Sequence, residues 1–248
     1  MTDERPPMLS RGVIEGIKTI VYALLIALVI RTFLFQPFNI PSGSMMDTLL
    51  IGDYLFVSKY SYGYSKHSFP FSPDLFEGRI LGAEPARGDV VVFANPNDGW
   101  KDYIKRLIGL PGDRIQMRDG VLYVNGQAAA YRQVEDYVET DEYGVEHRIP
   151  KYEETLPDGF KHFILDATPN GMRDNTGEYV VPAGHYFMMG DNRDNSDDSR
   201  GNVGYVAEEN LIGHAQIIFF STDGSAEWWE VWNWPFAIRY SRLFNLVY

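Results

Sequence analysis

The chain has 248 residues, enough for one large domain or two modest ones, and 45% of them are hydrophobic, as in a globular protein with a buried core. Its formal net charge of −12 argues against a nucleic-acid partner, because phosphate binding requires basic patches. The lack of cysteine excludes disulfides, thiol nucleophiles and cysteine-based metal sites, and the five scattered histidines include no i, i+4 pair typical of a zinc site.

Residues 13–35 form an apolar segment near the N-terminus, VIEGIKTIVYALLIALVIRTFLF. Its uncharged centre, Thr19 to Ile30, has only 12 residues, whereas a membrane-spanning helix needs about 20. Lys18 and Arg31 flank this centre, where long basic side chains can reach lipid headgroups, and apolar residues continue beyond both charges. No Ala-x-Ala cleavage site follows. These features favour a transmembrane anchor at 13–35 over a cleaved signal peptide or a buried helix.

Basic residues predict the orientation of this anchor. Arg5, Arg11 and Lys18 precede the apolar centre, and only Arg31 follows it closely. Because the cytoplasmic flanks of membrane helices are enriched in Lys and Arg, the tail formed by residues 1–12 is predicted to be cytoplasmic. The rest of the chain is then predicted to lie outside.

After Pro37 the chain has the pattern of an all-β protein. Short β-branched or aromatic runs, among them DYLFVSKY, GDVVVFANP and NLIGHAQIIFF, are bounded by Gly, Pro, Asp and Asn. Residues 127–182 are more polar and acidic, which indicates a β-rich inserted subdomain. We therefore expect a β core formed by residues 36–126 and 183–248, interrupted by that insertion.

Four tryptophans cluster near the C-terminus, namely Trp228, Trp229, Trp232 and Trp234. Tryptophan favours positions with one wet edge and one apolar edge. Packing on the β core and contact with a bilayer surface both meet this preference, and the sequence leaves the two alternatives open.

Two serines in the tetrad Pro41-Ser42-Gly43-Ser44 are candidate nucleophiles, although no histidine lies within twenty residues on either side. A serine hydroxyl needs a neighbouring base, and a lysine can serve only when its amine is neutral. A free lysine has a pKa near ~10.4, so only about one in two thousand is neutral at pH 7. Burial can lower that pKa by up to ~3–5 units, so a catalytic lysine is expected on a buried strand.

Lys105, in YIKRLIGLPGD, best fits this expectation. Strand alternation places it on one face with Tyr103 and Leu107, and it places Arg106 on the opposite face. We therefore predict an inward lysine beside an outward arginine. An ordinary edge lysine is the alternative, since lysine is rarely fully buried. The other lysines, Lys59 among them, mostly lie in polar or loop-like settings, where they would make poorer bases.

The acidic segment GDNRDNSDDSRGNVGYV, residues 190–206, does not match a calcium loop, because an EF-hand starting at Asp194 fails at its glycine and glutamate positions. A solvated turn is one interpretation. In an extended segment, however, alternate residues share a face. Asp198 could then pair with Arg200, and Ser196 could orient a buried amine.

Four motifs in chain order carry a resemblance to a known family. PSGSM, RGDVVVF, YIKRLIGLPGD and GDNRDNSDDSR, behind an apolar N-terminal segment, resemble the motifs of bacterial type I signal peptidase. The resemblance implies a nucleophile and a general base, Ser44 and Lys105. It also implies that the Ser42 hydroxyl helps the Ser44 N–H bind the oxyanion, and that the Ser196 hydroxyl bonds to the lysine amine. Asp198 and Arg200 would form a supporting ion pair.

The same resemblance implies the fold, the activity and the location. The fold would be all-β, a Ser–Lys protease β core with a β-rich inserted subdomain and one N-terminal transmembrane helix. The activity would be removal of signal peptides from exported preproteins after Ala-x-Ala-type sites, through an acyl-enzyme and without metal or cofactor. The expected partners are these preproteins, the lipid bilayer and the protein-export machinery. The expected location is the bacterial cytoplasmic membrane, with the catalytic domain on the outer, periplasmic side. Shallow pockets for the small residues at −1 and −3 are expected from Phe38, Ile40, Met45, Leu49, Tyr103 and Ile104.

One position departs from the family pattern. The usual SGSMxPTL reads SGSMMDTL here, with Asp47 in place of proline. An inward carboxylate so close to Ser44 would favour the charged form of Lys105. Aspartate also caps turns through its side-chain oxygen, so we expect Asp47 to point outward as such a cap.

Two other functions would use similar features. A self-cleaving repressor-type Ser–Lys protease would need an N-terminal DNA-binding domain, where this chain has a lipophilic segment. A membrane-anchored binding module without activity could keep the β scaffold. The joint presence of Ser42, Ser44, Lys105 and Ser196 argues against it.

Overall fold

The N-terminal segment forms one long helix, α1 (Arg11–Phe33), in a computed structural model that describes residues 11–74, 76–140, 145–168, 170–227 and 229–248. The stretch Gly12–Phe33 is long and apolar enough to cross a membrane, with a mean hydropathy of 2.2 in its most apolar window. None of that window is buried against the rest of the protein, so the buried-helix alternative is wrong. Residues 1–10 of the predicted cytoplasmic tail lie outside the described residues.

The helix ends two residues before the predicted boundary at 35 because its last turn is already tied to the β core. The carbonyl oxygen of Phe33 accepts from the Tyr64 hydroxyl at 2.9 Å, and that of Leu34 accepts from Lys59 N at 2.9 Å. Strand β1 begins at Phe35. The anchor helix is therefore joined to the β core almost without a linker.

A seven-stranded sheet with antiparallel pairing positions the candidate site, in the order β1-β2-β16-β3-β4-β14-β15. In its centre β3 and β4 pair in register, with Val91 opposite Lys105. The strands of this sheet are β1 (Phe35–Asn39), β2 (Asp53–Ser58), β3 (Val90–Asn95), β4 (Lys101–Gly109), β14 (His185–Met189), β15 (Val206–Ala207) and β16 (Leu211–Ser221).

Both faces of the sheet centre are covered, which explains the unbroken apolar run VVVFA in β3. Every residue of this strand is buried. Val92 packs in a cluster with Leu55, whereas Phe93 packs with Leu107 in a second cluster on the other side. A strand buried on both faces needs such a continuous run rather than alternation.

The remaining strands form a four-stranded sheet (β13-β5-β6-β7), a three-stranded sheet (β12-β11-β8) and a two-stranded ribbon (β10-β9). The range 127–182 is β-rich, and its first and last strands hydrogen-bond to β6 and β5. Leu156 of this range shares a buried cluster with Phe187 of β14, so the two parts have a common core. The strands are β5 (Arg114–Arg118), β6 (Val121–Val124), β7 (Gln127–Ala128), β8 (Ala130–Gln133), β9 (Tyr137–Thr140), β10 (Glu146–Ile149), β11 (Lys151–Thr155), β12 (Lys161–Leu165) and β13 (Tyr179–Val180).

The C-terminal tail returns to the sheet with its aromatic rings facing out. It includes a short helix, α2 (Trp234–Ala237), and Phe244 N donates to the Ile218 carbonyl of β16 at 2.7 Å. Trp229, Trp232 and Trp234 are 54%, 66% and 45% exposed. These three rings are therefore only partly covered by the protein and are not part of its buried core, and their contact with a bilayer stays a prediction. Trp228 lies outside the described residues.

Candidate active site

Ser44 lies in a buried turn between β1 and β2. The tetrad sequence ends in a 3₁₀ turn, Gly43–Met45, whose residues are all buried. Asn192 fastens this turn from the acidic loop: its side-chain amide donates to the Gly43 carbonyl at 3.1 Å, and its backbone N–H donates to the Ser44 carbonyl at 3.2 Å. The position of the Ser44 hydroxyl is thus set by two parts of the chain that are distant in sequence.

Lys105 reaches this hydroxyl from the centre of the sheet. Its side chain is buried on β4, and its Nζ is 2.7 Å from Ser44 Oγ and 2.8 Å from the Ile104 carbonyl oxygen. The edge-lysine alternative is therefore wrong, and the two residues expected to form the catalytic pair lie in hydrogen-bond contact.

Burial lowers the pKa of Lys105 from 10.5 to about 8, and the nearby carboxylates of Asp198, Asp191 and Asp197 oppose this shift. With that pKa about one amine in ten is neutral at pH 7, against about one in two thousand for a free lysine. The site thus supplies a neutral amine in contact with a hydroxyl, which is the condition for a general base.

Ser42 lies beside the pair on extended backbone, and its Oγ is 3.4 Å from Ser44 Oγ. This places a second hydroxyl near the carbon that Ser44 would attack. Its oxyanion role stays a prediction, to be tested with a substrate bound.

The acidic loop is held by a buried ion pair. The Asp198 carboxylate accepts from Arg200 Nη2 at 2.8 Å and from Gly190 N at 3.1 Å, and Arg200 also donates to the Arg193 carbonyl at 2.7 Å. Burial alone would raise the pKa of Asp198, but the Arg200 charge and the hydrogen bonds outweigh it and hold that pKa below its usual range. The solvated-turn interpretation is thus wrong for Asp198 and Arg200.

Ser196 is brought to the site without making its predicted hydrogen bond. Its side chain is buried, yet among the described residues its Oγ has no hydrogen-bond partner. The Lys105 amine is instead engaged by Ser44 Oγ and the Ile104 carbonyl. The expected Ser196–Lys105 bond is therefore absent among the described residues.

Arg106 does not point outward as predicted. Its side chain is fully buried and binds Asp191 twice, through Nε at 2.8 Å and Nη2 at 2.6 Å. The guanidinium also lies 5.7 Å from the Phe160 ring centre. Alternation placed Arg106 on the correct face, but the inserted strands cover that face, so the arginine is paired instead of solvated.

Two further expectations need correction. Lys59, expected in a polar setting, is fully buried, and burial lowers its pKa to about 8. Asp47 makes no turn-capping hydrogen bond among the described residues; it forms an ion pair with Lys151 of β11. The inserted subdomain offers a cation, which binds the carboxylate more strongly than a backbone N–H would.

A cleft of about 380 Å³ opens beside Ser44 and Lys105. Phe38, Ile40, Tyr103 and Ile104 line it as predicted. Met45 and Leu49 do not, since both are fully buried in the core cluster beneath the turn. Sequence reasoning did not assign several other residues to the cleft, although some of them lie within the quoted motifs: Asn39, Pro41, Val92, Asp98, Lys101, Asp102, Asn195 and Asp197.

One group of carboxylates within the described ranges could hold a metal ion, namely Asp166, Asp174 and Asp194, whose ligand atoms lie within 4.8 Å of one another. Burial and the charges of Asp194 and Asp174 raise the pKa of Asp166 to about 6. Asp194 already accepts from the backbone N–H groups of Ala167 and Thr168, which gives it a structural role in the loop.

Comparison with known proteins identifies the family of this chain. The chain matches the family described as signal peptidase, peptidase S26, over residues 13–220. It is 43% identical to a signal peptidase I of Rickettsia typhi (strain ATCC VR-144 / Wilmington), covering 96% of both chains. It is 45% identical to one of Rickettsia conorii (strain ATCC VR-613 / Malish 7), covering 92% of this chain and 90% of the relative. A crystal structure of a signal peptidase I from Enterococcus faecalis V583 is 31% identical, with a TM-score of 0.32, covering 53% of this chain and 97% of that chain.

The family match and the two relatives show that the chain belongs to the signal peptidase family, as a bacterial type I signal peptidase. This confirms the resemblance drawn from the four motifs, and the mainly β architecture with one N-terminal apolar helix is confirmed as well.

Proposed function

We propose that this protein removes signal peptides from exported preproteins, with Ser44 as nucleophile and Lys105 as general base. The observation that supports this most directly is the 2.7 Å contact between Lys105 Nζ and Ser44 Oγ, made between two buried side chains. A hydroxyl in contact with a neutral amine can lose its proton as it attacks a carbonyl.

The reaction proceeds in two halves. Ser44 Oγ attacks the scissile carbonyl while Lys105 takes its proton, and the Ser44 N–H and Ser42 hydroxyl stabilise the oxyanion. Lys105 then gives the proton to the leaving amine, which leaves an ester between Ser44 and the signal peptide. Water activated by the same lysine hydrolyses this acyl-enzyme and regenerates the hydroxyl.

The cleft supports a preference for small side chains at −1 and −3. Its apolar wall is formed by Phe38, Ile40 and Tyr103, and the buried Val92 closes its floor. Such a rigid wall admits alanine and rejects larger side chains by steric overlap. This shape supports cleavage after Ala-x-Ala-type sites.

The anchor supports a reaction at the membrane surface. Ile40 follows the end of α1 at Phe33 by seven residues, so the cleft lies within roughly 25 Å of chain from the bilayer. With the N-terminus in the cytoplasm, the cleft faces the outer side of the cytoplasmic membrane, where an exported preprotein presents its cleavage point. The export machinery is the proposed neighbour there.

The test uses the full-length protein and a precursor with an Ala-x-Ala site. The wild-type protein should cleave after the second alanine, and a precursor with leucine at −1 should resist cleavage. Ser44→Ala should lower kcat/KM by at least about 10³-fold with an unchanged circular dichroism spectrum. A Ser44→Ala protein with a tenth of the wild-type rate would refute the assignment. In right-side-out vesicles, added protease should digest the β core; its protection would contradict the orientation.

A further inference from the structure

An ion pair links the inserted subdomain to the turn that carries the nucleophile. Asp47, three residues after Ser44, pairs with Lys151 at the start of β11. The two side chains are 25% and 20% exposed, so water screens their attraction less than on an open surface. The Lys151 ammonium also lies 4.3 Å from the centre of the Phe163 ring, which fixes its direction.

The same strand holds the acidic loop from the other side. Glu154 of β11 accepts two hydrogen bonds from the Arg193 guanidinium, at 2.9 and 2.5 Å, and both side chains are buried. On β12, Leu165 exchanges backbone hydrogen bonds with the loop, to Asp191 O at 2.9 Å and from Arg193 N at 2.8 Å. The inserted subdomain is therefore bonded to both segments that surround the catalytic pair.

The position of Asp47 gives its pairing a structural consequence. Without its cation, a carboxylate that is only 25% exposed would be left unpaired in the segment that follows Ser44. The carboxylates that raise the pKa of Lys105 are those of Asp198, Asp191 and Asp197, so Asp47 acts on the position of the turn and not on the charge of the amine.

We propose that Lys151 is a positioning residue. It neutralises Asp47 and holds the turn that carries Ser44 in hydrogen-bond contact with Lys105. The ion pair would do here what a stiff proline does in the family pattern, and it would give the inserted subdomain a part in the reaction. This inference rests on the proposed function of Ser44 and Lys105.

The test compares Lys151→Met with a matched control, Lys161→Met. Lys161, on the adjacent strand, pairs with Glu153 of β11 at 3.3 Å but is 63% exposed. Lys151→Met should lower kcat about three- to tenfold at pH 7 with KM within twofold, and the rising limb of the pH profile should stay at its wild-type position, because Asp47 is not among the carboxylates that raise the pKa of Lys105. Lys161→Met should match the wild-type protein in all three quantities.

Two double variants separate charge from folding. Asp47→Asn combined with Lys151→Met removes both charges and leaves the link between β11 and the Ser44 turn broken, so kcat should stay low. The exchanged pair, Asp47→Lys with Lys151→Asp, should recover most of kcat. The groups facing Lys105, namely Asp191 with Arg106, Asp197 with Arg173 and Asp198 with Arg200, are unchanged in every variant. If Lys151→Met behaves like Lys161→Met, the inference is wrong although wild-type cleavage still supports the function. A wild-type protein that does not cleave would refute the function itself.

Discussion

Two buried lysines lie in different regions of the same β core and differ in what their amines touch. Lys59, just after β2, is 2% exposed, and Lys105 on β4 is 3% exposed. Burial lowers the pKa of each to about 8. The Lys59 amine donates to the backbone carbonyls of Ser68 at 2.9 Å and His67 at 3.4 Å. The Lys105 amine instead contacts the Ser44 hydroxyl.

The difference indicates that a lowered pKa alone does not make a lysine a base. A carbonyl has no proton to give, so a neutral Lys59 has nothing to activate among these partners. Ser44 offers an O–H group, and its turn leaves that group beside an open cleft. Desolvation raises the neutral fraction of the amine, and the hydroxyl in contact with it gives that neutral fraction a proton to accept.

The largest expected effect separates the two lysines directly. Lys105→Met should lower kcat/KM by at least about 10³-fold, because the base is removed and its methylene stem is kept. Lys59→Met should change kcat/KM by less than about threefold, since no reacting atom touches that amine. The measurement is precursor cleavage by both variants, with thermal unfolding to show that each is folded. Comparable losses in two folded variants would break the comparison.

A smaller effect is expected from filling the space beside Ser44 with a methyl group at position 190. A Cβ on Gly190 would lie 2.2 Å from Ser196 Oγ and 2.5 Å from the Ser44 carbonyl oxygen. Gly190→Ala should therefore displace the nucleophile turn and lower kcat by about 10- to 100-fold, the kinetic equivalent of ~1–3 kcal/mol of overpacking. Gly177→Ala is the matched control, because a Cβ there has nothing within 4 Å. Wild-type activity in Gly190→Ala would show that the contact is not needed.

The proposed catalytic pair could be named from the sequence because local chemistry marks each member as a candidate and the family motifs assign its role. A serine without a nearby histidine requires a lysine base, and apolar neighbours on a strand single out Lys105. The all-β class followed from short runs bounded by turn residues. These signals reside in neighbouring residues, so they can be read along the chain.

The errors arose where distant segments meet. Arg106 is buried by the inserted strands, and Asp47 is bound by Lys151 of those strands. Lys59 is enclosed by residues 67 and 68, and Met45 turns into the core instead of the cleft. No periodicity reports which segment covers a given face, so these contacts required the three-dimensional structure.

The smallest expected effect concerns the pH dependence of kcat/KM, which distinguishes Lys105 from Lys59. Lys105 acts as a base only when neutral, so kcat/KM should rise with pH through about 8 and then level off. Asp197 is one of the carboxylates that raise the pKa of Lys105, and its side chain is 38% exposed. Asp197→Asn should therefore move the rising limb down by a few tenths of a pH unit and raise kcat/KM at pH 7 by at most about twofold.

Asp102 provides the matched control, since it also lines the cleft but its charge raises the pKa of Lys59 instead. Asp102→Asn should leave the rising limb of the kcat/KM profile at its wild-type pH, even where it changes substrate binding. The experiment is a kcat/KM profile from pH 6 to 10 for the three proteins. If Asp102→Asn moves the limb as far as Asp197→Asn does, the titrating group is not Lys105 alone. The two lysines would then be coupled through the carboxylates between them, and the separation into a base and a structural amine would fail.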